Sequence, residues 1–449
     1  MKPSRTNPRF LSQSPQLSLV ILFCILLSSC STTRNVKSGI DEVFETSEAF
    51  HQGFSGLMVY DPGSKKVLYE RNSEKYFTPA SNTKLLTFYT GLKFLGDSVP
   101  ALKYAIYNDS LVFKGTGDPS FLHEEFPYSQ VLHFLKNRDE QLFYAAPSFQ
   151  EKHFGPGWSW GDYNWSYSVE RGDFPVYGNY VDFKLLSSDS LPKIYPKYFQ
   201  DKIVVKGDFE GGRSGVTRAL SENIFEIAHL RGNPEREQEV PFKYSPQLVT
   251  ELLSDTLGTK ITLLEKIPED FNSFKTLYSI PTDSLYKRML QVSDNFIAEQ
   301  ILLLSAGEIA DTLKTSIAID AMRTEYLSDL PDEPQWVDGS GLSRYNLITP
   351  RSMVKILEKI QQEVPTSRLF NLLAAGGESG TIENWYKAEE PYIYAKTGTL
   401  MNNHSLSGYL KTRTGKILIF SFMNSNYTVP SSSIKKEMEI ILKEIHLKL

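Results

Sequence analysis

Residues 78–96 read TPASNTKLLTFYTGLKFLG, and this stretch decides how the rest of the chain is interpreted. A threonine followed by proline is a typical helix start, and apolar residues then recur at helical spacing as far as Gly96. Ser81 falls in the first turn of this predicted helix, where backbone N–H groups can stabilise a developing oxyanion. Lys84 lies one turn later on the same face. The stretch therefore predicts a nucleophilic serine with a lysine beside it.

The Ser-x-x-Lys pattern carries little weight by itself, because the chain contains five further copies. They begin at Ser190, Ser284, Ser352, Ser432 and Ser433. None of them combines a Thr-Pro start with so apolar a helix. A solvated first turn remains the alternative interpretation of Ser81 and Lys84. Lysine is a poor base at its ordinary pKa of about 10.4, so burial or a second cation must lower the pKa of Lys84 if it is to accept a proton.

A second motif, Ser293-Asp294-Asn295, lies between a short predicted helix at 284–291 and a longer one that begins near Phe296. A hydroxyl at Ser293 can relay a proton between a lysine and a leaving amine. The amide of Asn295 can hold both the lysine and a substrate carbonyl. A helix N-cap explains the serine and the aspartate equally well, and a similar triplet occurs at Ser221-Glu222-Asn223. On the residues alone both alternatives stay open.

A third motif, Lys396-Thr397-Gly398, continues into Thr399 on a strand predicted at 392–399. Gly398 allows another backbone to approach closely, as a peptide substrate bound along the strand requires. Lys396, Thr397 and Thr399 can bind a carboxylate through a charge and hydroxyls, and the Thr399 N–H can be a second oxyanion donor. The alternative is an exposed edge strand protected by lysine. The three motifs together supply the groups needed for acyl transfer through a serine.

The two ends of the chain predict one shared sheet. Strands at 56–60 and 67–69 flank a turn, and the tail adds a strand at 392–399, a hairpin over 405–423 and a helix at 431–447. The middle, residues 101–275, contains short strand-like runs and turn-rich pieces, which favour an inserted region of one or two small, mostly β domains. We therefore expect an α+β protein: residues 41–100 and 276–449 form one domain, an antiparallel sheet with flanking helices, and 101–275 are inserted in it.

The N-terminus has the features of a targeting segment. Lys2, Arg5 and Arg9 precede an apolar stretch at 17–27, which is too short to span a bilayer and suits a signal peptide. The stretch ends in Leu-Ser-Ser-Cys, which resembles the bacterial lipobox, with Cys30 as the lipidated residue. We expect a signal peptide at 1–29, a tether at 30–40 and attachment to the outer membrane in the periplasm, since no aspartate follows Cys30. A plain signal peptide with a chance cysteine is the alternative.

Composition and spacing exclude several classes of protein. The formal net charge of −5 becomes more negative once the basic leader is removed, which argues against nucleic acid and against adsorption to anionic membranes. There is no His-x-x-x-His spacing, P-loop or dinucleotide fingerprint, so we expect neither a metal nor a cofactor. Nine aromatic residues lie in 154–180, and they indicate either a core of the inserted region or a stacking surface for substrate.

Longer segments around these motifs resemble the class C low-molecular-weight penicillin-binding proteins, which are D-alanyl-D-alanine carboxypeptidases and endopeptidases. The resemblance spans most of the chain after the leader. It rests on Gly115-Thr116-Gly117-Asp118-Pro119, on Pro156-Gly157-Trp158-Ser159-Trp160 with Asp162, on Gly178-Asn179, on 293–299, on Asp338-Gly339-Ser340-Gly341-Leu342-Ser343-Arg344 and on 395–400. The loop at 376–381 departs from the family's usual pattern. This wider context selects Ser293 over Ser221.

The resemblance implies a β-lactamase/transpeptidase-like fold and a serine D,D-peptidase that acts on peptidoglycan stem peptides and is acylated by β-lactam antibiotics. Ser81 would be the nucleophile and Lys84 its base. Ser293 and Asn295 would move protons and position substrate, Lys396, Thr397, Gly398 and Thr399 would bind the terminal carboxylate, and the N–H groups of Ser81 and Thr399 would form the oxyanion hole. Asp162 and Arg344 would hold the charged end of the third stem-peptide residue.

Two other functions stay open at this stage. A class A β-lactamase also carries the second and third motifs, but it needs a Glu-x-x-Leu-Asn segment, which residues 296–395 lack. A non-catalytic, lipid-anchored scaffold that binds peptidoglycan is the other, although every reactive residue is present. The sequence does not separate carboxypeptidase from endopeptidase activity.

Overall fold

The computed structural model describes residues 36–146, 148–185, 192–206, 215–228, 235–271 and 273–449. Within these ranges the strands, in chain order, are β1 Phe54–Asp61, β2 Lys66–Arg71, β3 Ser98–Tyr107, β4 Ser110–Gly115, β5 Gln141–Ala145, β6 Tyr180–Leu185, β7 Lys193–Tyr195, β8 Ile203–Lys206, β9 Gly215–Arg218, β10 Phe225–Ala228, β11 Arg236–Pro241, β12 Ile261–Leu264, β13 Lys275–Pro281, β14 Ala374–Ala375, β15 Ile393–Leu400, β16 Asn403–Lys411 and β17 Ile417–Ser425. The helices are α1 36–46, α2 Glu48–His51, α3 Lys84–Phe94, α4 Gln130–Lys136, α5 Pro246–Leu257, α6 Thr282–Gln291, α7 Asn295–Ala310, α8 Thr315–Glu325, α9 Pro350–Glu363, α10 Thr366–Leu372 and α11 Ser431–Lys448.

The predicted sheet shared by the two chain ends is confirmed. Its six strands run in the order β14-β15-β16-β17-β1-β2, and every neighbouring pair is antiparallel. β17 shows why helices cover both faces: Ile419 and Met423 pack into one core and Leu418, Phe420 and Phe422 into another. Since successive side chains of a strand point to opposite faces, the alternation places an apolar layer on each side.

Two groups of helices fill these layers. α1, α2 and α11 pack on one face, and α3, α6, α7, α8, α9 and α10 form the larger core on the other. α7 is buried continuously from Phe296 to Ala306, so it is the central helix of that core. A helix that is apolar all round is expected in such a position. Three polar residues in this run, Glu299, Gln300 and Ser305, are also buried and therefore need partners.

The inserted region is mostly β, as predicted. β3 follows α3 directly, β13 leads directly into α6, and these two strands pair with each other at the edge of a five-stranded sheet in the order β12-β5-β4-β3-β13. Two three-stranded sheets, β11-β6-β7 and β8-β10-β9, share one apolar core with it and with α4 and α5. The pairing extends from Ser98 to Pro281, just outside the predicted limits of 101 and 275. The division into domains at those limits stays a prediction.

Two local expectations are corrected. The predicted tether at 30–40 is wrong from residue 36 onward, because residues 36–46 are helical and Val36 and Ile40 are buried against the sheet. The predicted helix start at 78–79 is also different: residues Ala80–Thr83 form a 3₁₀ turn, and the α-helix begins at Lys84. Ser81 therefore lies in a tighter turn before the helix. Residues 1–29 and Cys30 lie outside the described residues.

Candidate active site

Ser81 lies in a turn whose backbone is held in an unusual conformation. The residue before it, Ala80, has a φ of +49°. This left-handed region is costly for a residue with a side chain and persists only where surrounding contacts fix it. One contact ties the turn to β15, where the Asn82 side chain donates to the Lys396 carbonyl (2.8 Å), and one lies within the turn, where Thr83 Oγ1 donates to the Ala80 carbonyl (2.9 Å). The turn presents the Ser81 side chain to a cleft.

Lys84 is completely buried and faces Ser81. Its Nζ donates to Ser81 Oγ at 2.9 Å, to Asn295 Oδ1 at 2.6 Å and to the Ser340 carbonyl at 2.7 Å. Burial lowers the pKa of Lys84 to about 8, although the charges of Asp338, Glu299 and Asp294 act in the opposite direction. A lysine whose pKa is lowered in this way loses its proton more readily, and the neutral amine can then accept a proton from a serine hydroxyl. The predicted pairing of these two residues is confirmed as a contact.

The second motif lies at the start of α7 and joins the same group. Ser293 has a φ of +68°, and Asp294 caps the helix by accepting from the Ile297 N–H at 3.0 Å. The N-cap interpretation is thus correct for the aspartate, and it leaves Ser293 and Asn295 facing the cleft. The Asn295 amide donates to the Tyr167 carbonyl at 2.8 Å while its oxygen accepts from Lys84. This arrangement fixes the orientation of the amide.

The third motif lies on β15, beside the first two. Lys396 is fully buried, and its Nζ donates to Ser293 Oγ and to the Thr397 carbonyl, both at 2.8 Å. Burial lowers the pKa of Lys396 well below its ordinary value, and the positive charge of Lys84 lowers it further. A bound carboxylate would favour the charged form of Lys396 again.

Two glycines allow the three motifs to come this close together. A Cβ at Gly398 would lie 2.3 Å from the Pro79 carbonyl and 2.9 Å from the Ser81 nitrogen. The backbone that Gly398 accommodates is thus the nucleophile turn, whereas the sequence had suggested a substrate. A Cβ at Gly341, where φ is +81°, would lie 1.8 Å from the Ala80 carbonyl. Both sites require glycine because another backbone occupies the space of a side chain.

Of the carboxylate-binding residues expected on β15, Thr399 lines the same cleft, and the hydroxyls of Thr397 and Thr399 are both engaged within the protein. Thr397 Oγ1 exchanges a hydrogen bond with Thr381 Oγ1 (2.7 Å), and Thr399 Oγ1 with His404 Nδ1 (2.8 Å). β14 pairs with β15 only at Tyr394 and Ala395, so residues 396–400 have no described strand partner on that side. Thr381 belongs to the loop that departs from the family pattern, and its contact with Thr397 gives that loop a place in the site.

The cleft in front of Ser81 has a volume of about 720 Å³, and Asp162 and Arg344, the two residues expected to hold the third stem-peptide residue, both line it. Asp162, in the 3₁₀ turn Trp160–Asp162, lies on its wall together with Tyr167. Arg344 is exposed, and its guanidinium lies 3.4 Å from the Met401 carbonyl. An acid and an arginine on the wall of one cleft can bind a group that carries both an amine and a carboxylate. The proposed roles of these two residues stay predictions.

Four groups behind the catalytic residues were not assigned a role from the sequence. They are the Ser340 carbonyl, Glu299, Asp338 and Trp158. Asp338 accepts from the N–H groups of Gly341 (2.9 Å) and Ser343 (2.7 Å) and from Trp158 Nε1 (3.0 Å), so it shapes the loop that carries the Ser340 carbonyl. The repeated glycine and serine residues of 338–343 were a signal of a tight loop, but nothing in them pointed to Lys84.

The aromatic residues at 154–180 were interpreted either as a core of the inserted region or as a stacking surface for substrate, and different residues fit each interpretation. Trp158 packs over the Arg171 guanidinium and bonds to Asp338, whereas Trp160 is 83% exposed and Trp165 is 58% exposed. Trp165 and Tyr167 lie nearly parallel, and Tyr167 lines the catalytic cleft.

In the part of the chain that the structure describes, no group of three or more metal-ligating side chains occurs, and no helix is long and apolar enough to cross a membrane.

Comparisons with known proteins show which family the sequence matches. The chain matches the D-Ala-D-Ala carboxypeptidase 3 (S13) family over residues 36–190 and 238–445. It is 21% identical to the D-alanyl-D-alanine carboxypeptidase DacB of Haemophilus influenzae, covering 87% of this chain and 90% of the relative. It is 24% identical to the D-alanyl-D-alanine carboxypeptidase of Actinomadura sp., covering 88% and 82%.

Solved structures show the same fold. Penicillin binding protein 4 of Haemophilus influenzae superimposes with a TM-score of 0.75 at 18% identity, covering 91% of this chain and 99% of that protein. The same protein with a β-lactam bound superimposes with a TM-score of 0.67. The expected transpeptidase-like fold is therefore confirmed. The family match covers most of the chain, and it includes all three motifs. The chain belongs to the D-Ala-D-Ala carboxypeptidase 3 (S13) family of serine-type hydrolases.

Proposed function

We propose that this protein cleaves the D-Ala-D-Ala bond of peptidoglycan stem peptides through an acyl-enzyme on Ser81, and that penicillin acylates the same serine. The observation that carries the proposal is the 2.9 Å contact between Ser81 Oγ and the buried Lys84 Nζ, at the base of a cleft wide enough for a peptide. A serine hydroxyl is a weak nucleophile until a nearby base accepts its proton. Lys84, with a pKa lowered to about 8, is that base.

The first half of the reaction forms an ester. Ser81 Oγ attacks the carbonyl carbon of the penultimate D-Ala while its proton passes to Lys84, and the N–H groups of Ser81 and Thr399 stabilise the oxyanion. The C–N bond then breaks, and the leaving amine of the terminal D-Ala takes up a proton. Ser293 can relay to this amine the proton that Lys84 took from Ser81, which leaves Lys84 neutral again; the Ser293 hydroxyl lines the cleft and is 2.8 Å from Lys396 Nζ. Lys396 holds the terminal carboxylate through its charge.

The second half releases the product. Water attacks the carbonyl carbon of the Ser81 ester while one of its protons passes to the neutral Lys84, the C–O bond to the enzyme breaks, and Lys84 returns that proton to Ser81 Oγ. Asn295 keeps Lys84 directed at Ser81 throughout, since its amide is held on the other side by the Tyr167 carbonyl. The names of the relatives and the β-lactam complex of the Haemophilus influenzae protein support the substrate class and the acylation by penicillin.

The location of the enzyme is part of the proposal. The leader at 1–29 and the lipobox-like Cys30 support a protein that is lipid-anchored in the periplasm, at the outer membrane. Both lie outside the described residues. Replacing Cys30 with alanine and following the protein into the membrane or soluble fraction tests this part. The Cys30→Ala protein should be soluble; equal membrane association of both proteins would contradict lipid attachment.

The central experiment is labelling with a fluorescent penicillin, with D-Ala release from a pentapeptide measured in parallel. The wild type should be labelled and should release D-Ala, and Ser81→Ala should do neither. Ser432→Ala, at another Ser-x-x-Lys, should behave as the wild type. Labelling that survives Ser81→Ala would overturn the nucleophile. Labelling without D-Ala release, but with cleavage of cross-linked peptide dimers, would indicate an endopeptidase; labelling with neither activity would indicate a scaffold, and rapid turnover of penicillin would indicate a β-lactamase.

A further inference from the structure

A buried carboxylate, Glu299, lies directly behind the group that orients Lys84. Its Oε1 accepts from the Ser340 N–H at 2.7 Å, and the carbonyl of the same residue accepts from Lys84 Nζ at 2.7 Å. Glu299 is one helical turn after Asn295 on α7, so both residues are on the same helix face. One face of α7 thus fixes Lys84 twice, directly through Asn295 and indirectly through Ser340.

The inserted region supplies the partner of Glu299. Arg171 is 1% exposed, and its Nη1 lies 3.2 Å from Glu299 Oε2. The same guanidinium lies 3.4 Å from Glu151, donates to the Lys152 carbonyl at 3.0 Å and packs against the Trp158 ring. A buried carboxylate without a cation would be protonated or would destabilise the fold. Arg171 therefore keeps Glu299 in place and favours its charged form.

We propose that Glu299, held by Arg171, is a positioning residue for the reaction at Ser81. Through the Ser340 peptide it keeps Lys84 Nζ within reach of Ser81 Oγ, and its negative charge sets how readily Lys84 gives up its proton. Glu299 contacts neither Ser81 nor the cleft, so it acts only through Lys84. This role rests on the proposed function, in which Lys84 is the base.

Glu299 is one of several charged groups near Lys84 that affect the pKa of this lysine. Asp338, from the loop before Ser340, and Asp294, at the start of α7, also favour the protonated lysine. On the other side, the charge of Lys84 lowers the pKa of Lys396 on β15. Burial and the charge of Asp338 raise the pKa of Glu299 to about 7, against the effect of Arg171. Glu299 is consequently charged near pH 8, where Lys84 exchanges its proton.

The test is the pH dependence of penicillin acylation in Glu299→Gln. Glutamine can still accept from the Ser340 N–H but has no charge and cannot pair with Arg171. We expect the midpoint of the acid limb to fall by roughly one pH unit, because one of the charges that retain the proton on Lys84 is gone. We also expect the plateau rate to fall about tenfold, because the Ser340 peptide is held less firmly.

A matched control is Glu170→Gln. Glu170 is also a buried carboxylate that pairs with a buried arginine (Arg218, 3.7 Å) and accepts from a backbone N–H (Tyr244, 2.9 Å), but it has no link to Lys84. It should lower the melting temperature about as much as Glu299→Gln and leave the pH midpoint unchanged. Equal midpoints in wild type and Glu299→Gln would overturn the proposal and leave the proposed function intact. A wild type that penicillin does not acylate would overturn the proposed function itself.

Discussion

The predicted domain formed by residues 41–100 and 276–449, called the outer domain from here on, and the inserted region supply different groups to the surroundings of Lys84. In the proposed function, the outer domain provides the reacting groups, which lie on the turn of Ser81, at Lys84, before α7 at Ser293 and on β15 at Lys396. The inserted region provides groups that hold those residues in place, namely the Tyr167 carbonyl on Asn295, Trp158 on Asp338 and Arg171 on Glu299. Chemistry is thus concentrated in short local motifs, whereas positioning depends on contacts between distant parts of the chain.

The largest expected effect concerns the outer domain alone. Lys84→Met should reduce penicillin acylation by about a thousandfold or more, because Ser81 loses its base. The variant should still fold, since a buried charge is replaced by an apolar side chain of similar length. Labelling with fluorescent penicillin, stopped at a series of times, measures the acylation rate, and a thermal melt shows whether the variant is folded.

Lys355→Met is the control for Lys84→Met. Lys355 also ends a Ser-x-x-Lys pattern, but it pairs with Glu358 on the outside of α9. It should keep the wild-type rate. An acylation rate within tenfold of wild type in Lys84→Met would show that another group accepts the proton.

The second prediction concerns the close contact between the loop of Ser340 and the nucleophile turn. Gly341→Ala should lower the acylation rate about a hundredfold and stability by about 2–3 kcal/mol, because its Cβ would clash with the Ala80 carbonyl and its φ is positive. Gly415→Ala separates the two causes, since it has a φ of +85° but open space around it. It should lose stability only. Equal losses of acylation in both variants would contradict the role of the clash.

The third prediction is a pH profile of the wild type. Lys84 must be neutral to accept a proton, and its pKa is lowered to about 8, so acylation should rise with pH and level off above that value. Below it the rate should fall about tenfold per pH unit, since the neutral fraction falls in that proportion. The apparent midpoint belongs to Lys84 together with Lys396. A rate that is constant between pH 6 and 9 would contradict lysine as the base.

The sequence predicted the outer domain well, because its signals are local. Strand alternation, helical spacing after Lys84 and the unique Lys-Thr-Gly triplet all lie within a few residues of the features they indicate. The errors there are also local: the 3₁₀ turn at Ala80–Thr83 depends on contacts with Lys396 and Gly341, which are distant in sequence. The tether prediction failed because the burial of Val36 and Ile40 depends on the sheet formed by the other end of the chain.

The supporting residues were beyond the reach of the sequence for the same reason. Glu299 looks like an ordinary charged residue in an apolar helix until Arg171 and Ser340 are seen beside it, 128 and 41 residues away along the chain. Gly398 was assigned to substrate, because a strand glycine indicates a close backbone without saying which one. Pairing between such segments is fixed only by the folded core.

The smallest predicted effect on acylation concerns Trp158, a residue of the inserted region. Trp158→Phe keeps an aromatic ring over Arg171 but removes the Nε1 hydrogen bond to Asp338. One buried hydrogen bond to a carboxylate is worth about 1.5–3 kcal/mol, so stability should fall by that amount. Acylation should fall only a few-fold, since Asp338 still accepts from Gly341 and Ser343. Trp160→Phe, at an exposed site, should change neither quantity. A loss of acylation in Trp158→Phe as large as that of Lys84→Met would contradict the difference proposed between the two regions, because the inserted region would then take part in the reaction itself.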